Sequence, residues 1–471
     1  KDIAKMKLNF ELRDKVYLSG DIADSTLDDI CRGLTIYNQQ IDKLERLGRY
    51  TGDVERWIKY YSRKENEENE ENVLIFPRGY ALSAYQICTK KYDKESIRII
   101  DNRLLMQKVD LKFIGRLRPF QIEAVETMLN HSDGIVVFPT GGGKTVTMLN
   151  LISKRQQPAL VIVDKKELLY QWQDRASAFL DIAPDEIGLI GAGKLSIGDR
   201  LTIGTIQTIA KHIDSLKDSF GLIVVDECHK AGAETFRNTI SQFTAKYIHG
   251  CTATPIRNDG LTQALFFYLG NVKYEIDKKH LLDNGYLCDA RYQQIETDFD
   301  SLIDATMNYT GVISELITDT LRNNLICKTI SAHQESGLNL ILTNRVNHCQ
   351  TIKHILKKQH QIDSEILTGG LKKKERSRIF GLITQSKVKN IIATTSLLKE
   401  GFDLPALENL FVIVPVKWEG AVVQMIGRIL RPSANKDYAL IFDFVDSKIG
   451  VLKHSGKVRA RVYEEQNIKR I

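Results

Sequence analysis

Short runs of apolar and β-branched residues alternate with longer, helix-like segments along most of this chain. From about residue 116 onward, five such runs predict strands, at residues 134–138, 160–163, 201–204, 222–225 and 247–251. The runs have no alternating polar positions, which is typical of strands in a parallel sheet that helices cover on both faces. The pattern therefore predicts a doubly wound α/β domain.

The same pattern restarts after about residue 300. Five further runs predict strands at residues 338–343, 364–367, 390–394, 410–414 and 438–442. We therefore expect two doubly wound parallel-sheet domains in tandem, joined by a connection over residues 275–297.

The region before residue 111 has a different pattern, with strand-like runs at residues 6–10, 73–76 and 96–100 that predict a small α+β domain. Within it, residues 44–61 interleave basic and aromatic side chains, a combination that suits the phosphates and bases of nucleic acid. An amphipathic helix with a solvated face is the ordinary alternative. The basic and aromatic residues are Arg46, Arg49, Tyr50, Arg56, Trp57, Lys59, Tyr60 and Tyr61.

Composition changes this picture little. Of 471 residues, 43% are hydrophobic and 27% are charged, which is typical of a folded soluble protein and excludes a mainly disordered or fibrous chain. The formal net charge of +7 permits a polyanionic partner without requiring one. The seven cysteines are scattered and odd in number, so we expect neither a zinc site nor a disulfide framework and favour a reducing compartment.

No segment resembles a membrane anchor or a signal peptide. The first residues lack the apolar core of a signal peptide, and no apolar run approaches the roughly 20 residues that span a bilayer. We therefore expect a soluble, intracellular protein with no membrane partner.

A glycine-rich turn follows the first predicted strand and opens a predicted helix at residues 145–153. Successive backbone N–H groups of such a turn can face one anion at the helix N-terminus. Lys144 is placed to reach the β and γ phosphates of a nucleotide, and the Thr145 hydroxyl is placed to ligate Mg²⁺. The standard phosphate-loop pattern has glycine where this chain has Phe138. The residues predicted to hold the nucleotide here are Thr140, Gly141, Gly142, Gly143, Lys144 and Thr145.

Two adjacent carboxylates, Asp226 and Glu227, follow the buried run at residues 222–225. Beside a phosphate loop, the first can hold Mg²⁺ through water and the second can polarise an attacking water. A strand that ends in ordinary surface acids is the alternative, and the upstream Gly-Lys-Thr turn argues against it. The two signals together predict a site that hydrolyses ATP with Mg²⁺.

The next two residues complete Asp226-Glu227-Cys228-His229, which resembles the second motif of superfamily 2 helicases. Other motifs of this family follow in the family's order. Residues 117–121 resemble the segment whose glutamine, here Gln121, reads adenine. Residues 163–172 resemble motif Ia, although Asp164-Lys165 stands where the family has Pro-Thr. Residues 204–208 and 252–255 resemble motifs Ic and III.

In the second α/β domain, residues 342–348, 394–403 and 424–431 resemble motifs IV, V and VI. The resemblance covers about residues 117–446 and is strongest to XPB-like and UvsW-like DNA helicases. It implies two RecA-like domains that close on ATP, with Arg431 as the arginine finger and Arg428 as its partner. The resemblance also implies that Gln424 acts beside these arginines and that nucleotide binding involves Gly401 and Asp403.

The resemblance further implies a nucleic-acid surface whose phosphate contacts do not read base sequence, and 3′→5′ tracking. More weakly, residues 48–52 and 76–80 resemble the small duplex-contacting domain of the same helicases. The predicted nucleic-acid contacts are Gln171, Thr205, Gln207, Thr252, Thr254, Thr343, Arg345, Thr394 and Thr395, with Arg49 and Tyr50 in the N-terminal domain.

The sequence therefore predicts four parts: a duplex-contacting α+β domain at residues 1–110, a RecA-like ATP-binding domain at 111–290, a second RecA-like domain at 291–455 and a basic tail at 456–471. The tail either covers the second domain or contacts nucleic acid.

The predicted function is an ATP-dependent helicase or translocase on forked or branched DNA, in replication, recombination or repair. It would work in a bacterial or phage-infected cytoplasm or at the nucleoid, with no metal beyond Mg²⁺. Three alternatives stay open: an RNA-remodelling helicase, the motor subunit of a restriction complex, and a non-catalytic ATP-gated clamp.

Overall fold

The computed structural model describes residues 8–46, 48, 50, 52, 54–65, 72–229, 234–253, 261–334, 337–395, 407–415, 426, 429–430, 436, 438–466 and 468–471. The chain divides into two compact units. The first comprises Lys1–Pro139 and Gly143–Ile276, and the second comprises Thr140–Gly142 and Asp277–Ile471. None of the described helices is long and apolar enough to cross a membrane.

The first unit begins with a mixed five-stranded sheet. Apolar side chains on its inner face, among them Phe10, Val16 and Phe76, form a core with the helices that follow. In spatial order the strands are β5 (Ser62–Glu65), β6 (Asn72–Pro77), β2 (Lys15–Gly20), β1 (Leu8–Leu12) and β7 (Ile97–Asp101). The other elements are α1 (Asp24–Gly33), α2 (Gln40–Arg46), α3 (Ala81–Cys88) and a hairpin of β3 (Thr35–Tyr37) and β4 (Trp57–Lys59).

The second sheet of this unit has eight strands, and their pairing is parallel except between β10 and β11, the strands at one edge. In spatial order the strands are β11 (Lys194–Leu195), β10 (Gly188–Gly191), β12 (Leu201–Thr205), β9 (Ala159–Val163), β13 (Leu222–Asp226), β14 (Tyr247–Thr252), β8 (Asp133–Val137) and β15 (Val272–Glu275). The helices are α4 (Pro119–Leu129), α5 (Lys144–Arg155), α6 (Lys166–Phe179), α7 (Ile206–Lys211), α8 (Ile213–Leu216), α9 (Glu234–Ile240) and α10 (Leu261–Leu269).

The second unit has a seven-stranded sheet in which every pair is parallel. In spatial order the strands are β18 (Glu365–Leu367), β19 (Asn390–Thr394), β17 (Leu338–Thr343), β20 (Leu407–Val412), β21 (Tyr438–Val445), β16 (Asp289–Glu296) and β22 (Lys469–Arg470). The described helices are α11 (Lys278–Asp283), α12 (Tyr309–Thr318), α13 (Thr320–Ser331), α14 (Val346–His360), α15 (Lys373–Thr384) and α16 (Gly450–Glu465).

The predicted connection at residues 275–297 is wrong as a linker. It contains α11 and β16, and β16 pairs with β21 over its whole length. The second compact unit accordingly begins at Asp277 rather than at residue 291. The strand was missed because its sequence, Asp-Ala-Arg-Tyr-Gln-Gln-Ile-Glu, is too polar to read as a buried strand.

The predicted C-terminal tail is also wrong, because the boundary at residue 456 falls inside α16. Arg459 of this helix is buried and donates a 2.8 Å hydrogen bond from Nε to Asp443 on β21. After the helix, β22 adds to the edge of the sheet beside β16. Of the two alternatives for this segment, the structure supports the one in which it covers the second domain.

The N-terminal sheet is fixed to the first α/β domain through Arg78. This side chain is buried, and its guanidinium donates hydrogen bonds of 2.6 Å to the Ala245 carbonyl and 2.8 Å to the Lys246 carbonyl. Residues 76–80 were expected to help contact duplex. The structure corrects this for Arg78, because its charge is used inside the protein.

Gly79 and Tyr80 complete this contact against α10. A Cβ atom on Gly79 would lie 2.3 Å from the Phe266 carbonyl oxygen, so only glycine permits this approach of the two backbones. The Tyr80 ring packs edge-on against Phe267, with ring centroids 5.5 Å apart. The sheet and the α/β domain are therefore parts of one folded unit.

Replacing Arg78 with alanine is expected to lower the free energy of unfolding by about 3 kcal/mol, because two buried carbonyls lose a charged donor. Urea denaturation measures the change. Arg98→Ala, at an exposed position of β7, is the matched control and should change stability by less than about 0.5 kcal/mol. Equal effects of the two substitutions would contradict the docking role of Arg78.

Candidate nucleotide site

The glycine-rich turn lies between the end of β8 and the start of α5, and it carries Thr140, Gly141 and Gly142. Gly141 and Gly143 have φ angles of 88° and 85°, which favour glycine. A Cβ atom on Gly143 would also lie 2.3 Å from Nε2 of Gln121. Both the backbone conformation and this close approach therefore require glycine at position 143.

The structure explains why Phe138 replaces the usual glycine. Its ring is fully buried and packs edge-on against Phe120 at 5.6 Å and against Tyr274 at 5.9 Å. Its backbone N–H donates to the Thr252 carbonyl at 3.0 Å. Phe138 thus ends the strand inside the core, and the turn begins after it.

Gln121 lies in the first turn of α4 and is 5% exposed. Its Oε1 accepts a 2.9 Å hydrogen bond from the Arg118 backbone N–H. This bond orients the amide beside the glycine-rich turn. The predicted contact with adenine stays a prediction.

Three charged groups meet where β13 ends and α5 begins. Lys144 Nζ lies 3.5 Å from Glu227 Oε1, and Asp226 Oδ1 accepts the Glu227 backbone N–H at 2.9 Å. Burial raises the pKa of Asp226, and the neighbouring Glu227 charge raises it further. The two adjacent carboxylates form an oxygen-rich site that fits a divalent cation, and Thr145 lies at the start of α5.

His229 joins the catalytic acid to β14, and the sequence had given it no role of its own. Its Nδ1 lies 3.3 Å from Glu227 Oε2 and 3.0 Å from the Thr252 hydroxyl. Thr252 is buried, and its hydroxyl contacts the His229 ring. The prediction that this side chain holds a nucleic-acid phosphate stays a prediction. The signal for His229 was its position in the Asp-Glu-Cys-His motif.

Thr343 likewise makes a hydrogen bond to a histidine inside its own domain. Its side chain is fully buried, and Oγ1 shares a 2.8 Å hydrogen bond with His348 Nδ1. His348 Nε2 in turn lies 3.0 Å from Asn323 Oδ1. The hydroxyl holds α14 to the end of β17 from inside the domain, and its predicted phosphate contact stays a prediction.

The remaining predicted contacts are divided between buried and surface positions. Thr205 and Thr394 are buried, and the Thr205 hydroxyl lies 3.0 Å from that of Thr208. Gln207 is exposed and donates to the Asp164 carbonyl at 3.3 Å. The other surface or partly exposed residues are Gln171, Arg345, Thr395 and Tyr50. Their nucleic-acid contacts stay predictions.

A crevice of about 190 Å³ lies in the first α/β domain, lined in part by Asp164, Gln207, Asp226 and Glu227. It brings two predicted nucleic-acid motifs next to Asp226 and Glu227 within one folded unit. Seven predicted site residues lie outside the described part of the chain, so their roles stay predictions: Arg49, Thr254, Gly401, Asp403, Gln424, Arg428 and Arg431.

Two family models match the chain. Residues 114–257 match the model described as "Type III restriction enzyme, res subunit", and residues 321–433 match "Helicase conserved C-terminal domain". The chain belongs to the superfamily 2 helicases.

Two curated helicases align with most of the chain. "Putative ATP-dependent helicase IRC3" of Saccharomyces cerevisiae is 28% identical over 388 residues, which are 74% of this chain and 55% of that protein. "DNA 3'-5' helicase XPB" of Kineococcus radiotolerans is 26% identical over 347 residues, 70% of this chain and 59% of that protein. The chain thus spans little more than half the length of these relatives.

A solved helicase shares the fold. Saccharomyces cerevisiae Dbp5 bound to RNA and ADP BeF3 covers 76% of this chain and 90% of its own, with a TM-score of 0.54 and 15% identity. At this identity the likeness shows the fold, with two RecA-like domains, and nothing about the preferred nucleic acid.

Thr343→Val is expected to destabilise this helicase by about 1–3 kcal/mol, because valine leaves the buried His348 without its partner. Thr343→Ser keeps the hydroxyl and is the matched control. Thermal unfolding measures stability, and fluorescence anisotropy with single-stranded DNA measures affinity. If Thr343→Val weakens DNA binding at least tenfold while thermal unfolding is unchanged, the result would support the predicted contact of Thr343 with a nucleic-acid phosphate.

Proposed function

We propose that this helicase is an ATP-dependent DNA helicase or translocase that acts on forked or branched DNA in replication, recombination or repair. The contact of Lys144 with Glu227, at 3.5 Å, is the single observation that carries the ATP-hydrolysing part. The preference for DNA follows from the motif-by-motif resemblance to XPB-like and UvsW-like helicases and from the relative named as a DNA 3'-5' helicase.

The geometry supports a specific order of events at the nucleotide. Lys144 is paired with Glu227, and phosphate oxygens are the stronger partner for its ammonium group. When ATP binds, Lys144 turns to the β and γ phosphates, which frees Glu227 Oε1 to accept a hydrogen bond from the attacking water. Glu227 Oε2 keeps its contact with His229, 3.3 Å away, which fixes the carboxylate plane.

The proposed metal site uses Thr145 and Asp226. Mg²⁺, when bound, neutralises charge on the β and γ phosphates during transfer. In the proposed cycle, Arg431 and Arg428 of the second domain neutralise the charge that develops on the γ-phosphoryl group. Closure on ATP and reopening after hydrolysis then advance the two domains along one strand.

The N-terminal domain is proposed to grip duplex at a junction through an exposed aromatic surface. Tyr50 is 81% exposed and Trp57 is 55% exposed. The Trp57 ring is held edge-on by Tyr37, at 5.5 Å between centroids, so one aromatic face is positioned for a base. Tyr60 does not belong to this surface, because it is buried and its hydroxyl accepts from Arg237 at 2.6 Å.

A second candidate function is the motor of a restriction complex. The description of the family model that matches residues 114–257 favours it. Such a motor would track along duplex DNA with no preference for a fork. A comparison of forked DNA with plain duplex therefore distinguishes the two candidate functions. Including RNA in the comparison also tests whether the preferred substrate is DNA or RNA.

Glu227→Gln is expected to lower kcat for ATP hydrolysis roughly 10²–10⁴-fold while ATP binding is preserved, because the amide cannot polarise the attacking water. Phosphate release and binding of a fluorescent ATP analogue measure the two quantities. Glu275→Gln, at an exposed position of β15, is the matched control. Unchanged turnover in Glu227→Gln would show that the catalytic assignment is wrong.

A substrate panel tests the DNA preference. We expect ATPase stimulation and unwinding to be strongest with forked DNA or a four-way junction, and weaker with plain duplex and with single-stranded RNA. Trp57→Ala should weaken fork affinity roughly tenfold through loss of stacking, while stimulation by single-stranded DNA is kept. Leu302→Ala, at a fully exposed position, is the control. Stronger stimulation by RNA would overturn the proposal.

A further inference from the structure

The indole of Trp172 meets the magnesium-binding end of the nucleotide site. Trp172 lies on α6 and is 1% exposed, and its Nε1–H donates a 2.8 Å hydrogen bond to Asp226 Oδ2. On the basis of the proposed function, we propose that Trp172 is a positioning residue. It holds the Asp226 carboxylate in the orientation that binds Mg²⁺, and it connects that carboxylate to the helix carrying the predicted nucleic-acid contact Gln171.

The hydrogen bonds of Asp226 explain why a donor is needed at this position. Oδ1 is already oriented by the Glu227 backbone N–H, at 2.9 Å, and lies 3.5 Å from the Cys251 sulfur. Without Trp172, the described donors would reach only one carboxylate oxygen, and rotation of the carboxylate would cost little. An indole N–H donates and cannot accept, so it selects a carboxylate oxygen and fixes its position.

Packing alone does not require a tryptophan at position 172. A buried phenylalanine or leucine would fill an apolar space on α6 without introducing a polar atom. A buried indole must find a partner for its N–H. Here that partner is the strand-end carboxylate of β13, which lies beside β9, the strand that leads into α6. The side chain therefore reaches from the motif Ia segment to the catalytic strand.

The residue next to Trp172 connects the Trp172–Asp226 hydrogen bond to the predicted nucleic-acid surface. Gln171 precedes Trp172 on α6 and is partly exposed, whereas Trp172 faces the interior. A nucleic-acid strand that pulls on Gln171 would shift α6, and the indole would shift with it. Asp226 would then change its hold on the metal, so nucleic-acid binding and metal binding are coupled through one helix.

Trp172→Phe removes the donor and keeps most of the ring volume. With ADP present, electron paramagnetic resonance of free Mn²⁺ is expected to show about tenfold weaker Mn²⁺ binding, the effect of losing one hydrogen bond to a charged group. Binding of fluorescent ADP in EDTA should be unchanged. The Mg²⁺ concentration that gives half-maximal ATPase should rise by a similar factor, and stimulation by single-stranded DNA should fall.

A second variant separates the hydrogen bond from the packing. Benzothienylalanine at position 172 replaces the indole N–H by sulfur and keeps the ring shape, so it should reproduce the loss of Mn²⁺ affinity. Leu302→Ala, at an exposed position with no role in the proposed site, is the control. Mn²⁺ affinity within twofold of the unsubstituted protein in the benzothienyl variant would overturn the inference. Failure of the proposed function would appear separately, as unchanged ATP turnover in Glu227→Gln.

Discussion

The carboxylate pair at the end of β13 is the constraint on which the rest of the nucleotide site depends. Asp226 and Glu227 are partly buried, where two like charges close together are costly, and donors and cations beside them reduce that cost. Lys144 lies 3.5 Å from Glu227, and Trp172 donates to Asp226 at 2.8 Å. A divalent cation would reduce the repulsion between the two carboxylates further.

This constraint also explains the positions of the surrounding elements. The carboxyl ends of β8, β13 and β14 are neighbours in one parallel sheet, so the glycine-rich turn, the acids and Thr252 meet at one edge. His229 then connects Glu227 to Thr252 across two of these strands. Two contacts of one histidine therefore link Glu227 to the end of β14.

The sequence predicted the strands best where the sheet is buried on both faces. The strands at residues 338–343 and 390–394 were predicted with the bounds that the structure has. The prediction failed for β16, whose polar residues carry no apolar run, and for β22, which is two residues long. Both strands form because a neighbouring strand supplies their hydrogen-bonding partners. The pattern of apolar residues within a strand's own sequence does not show this pairing.

The sequence by itself determined the residue types at the nucleotide site, because the glycine-rich turn and the Asp-Glu pair are contiguous motifs. Only the tertiary structure decided which way side chains face. It turned Thr252 and Thr343 inward onto histidines, placed Arg78 between two layers, and brought Trp172 to Asp226, 54 positions away in the chain. The physical reason is that hydrogen bonds between distant segments depend on how helices pack on a sheet. This packing cannot be read from local sequence motifs.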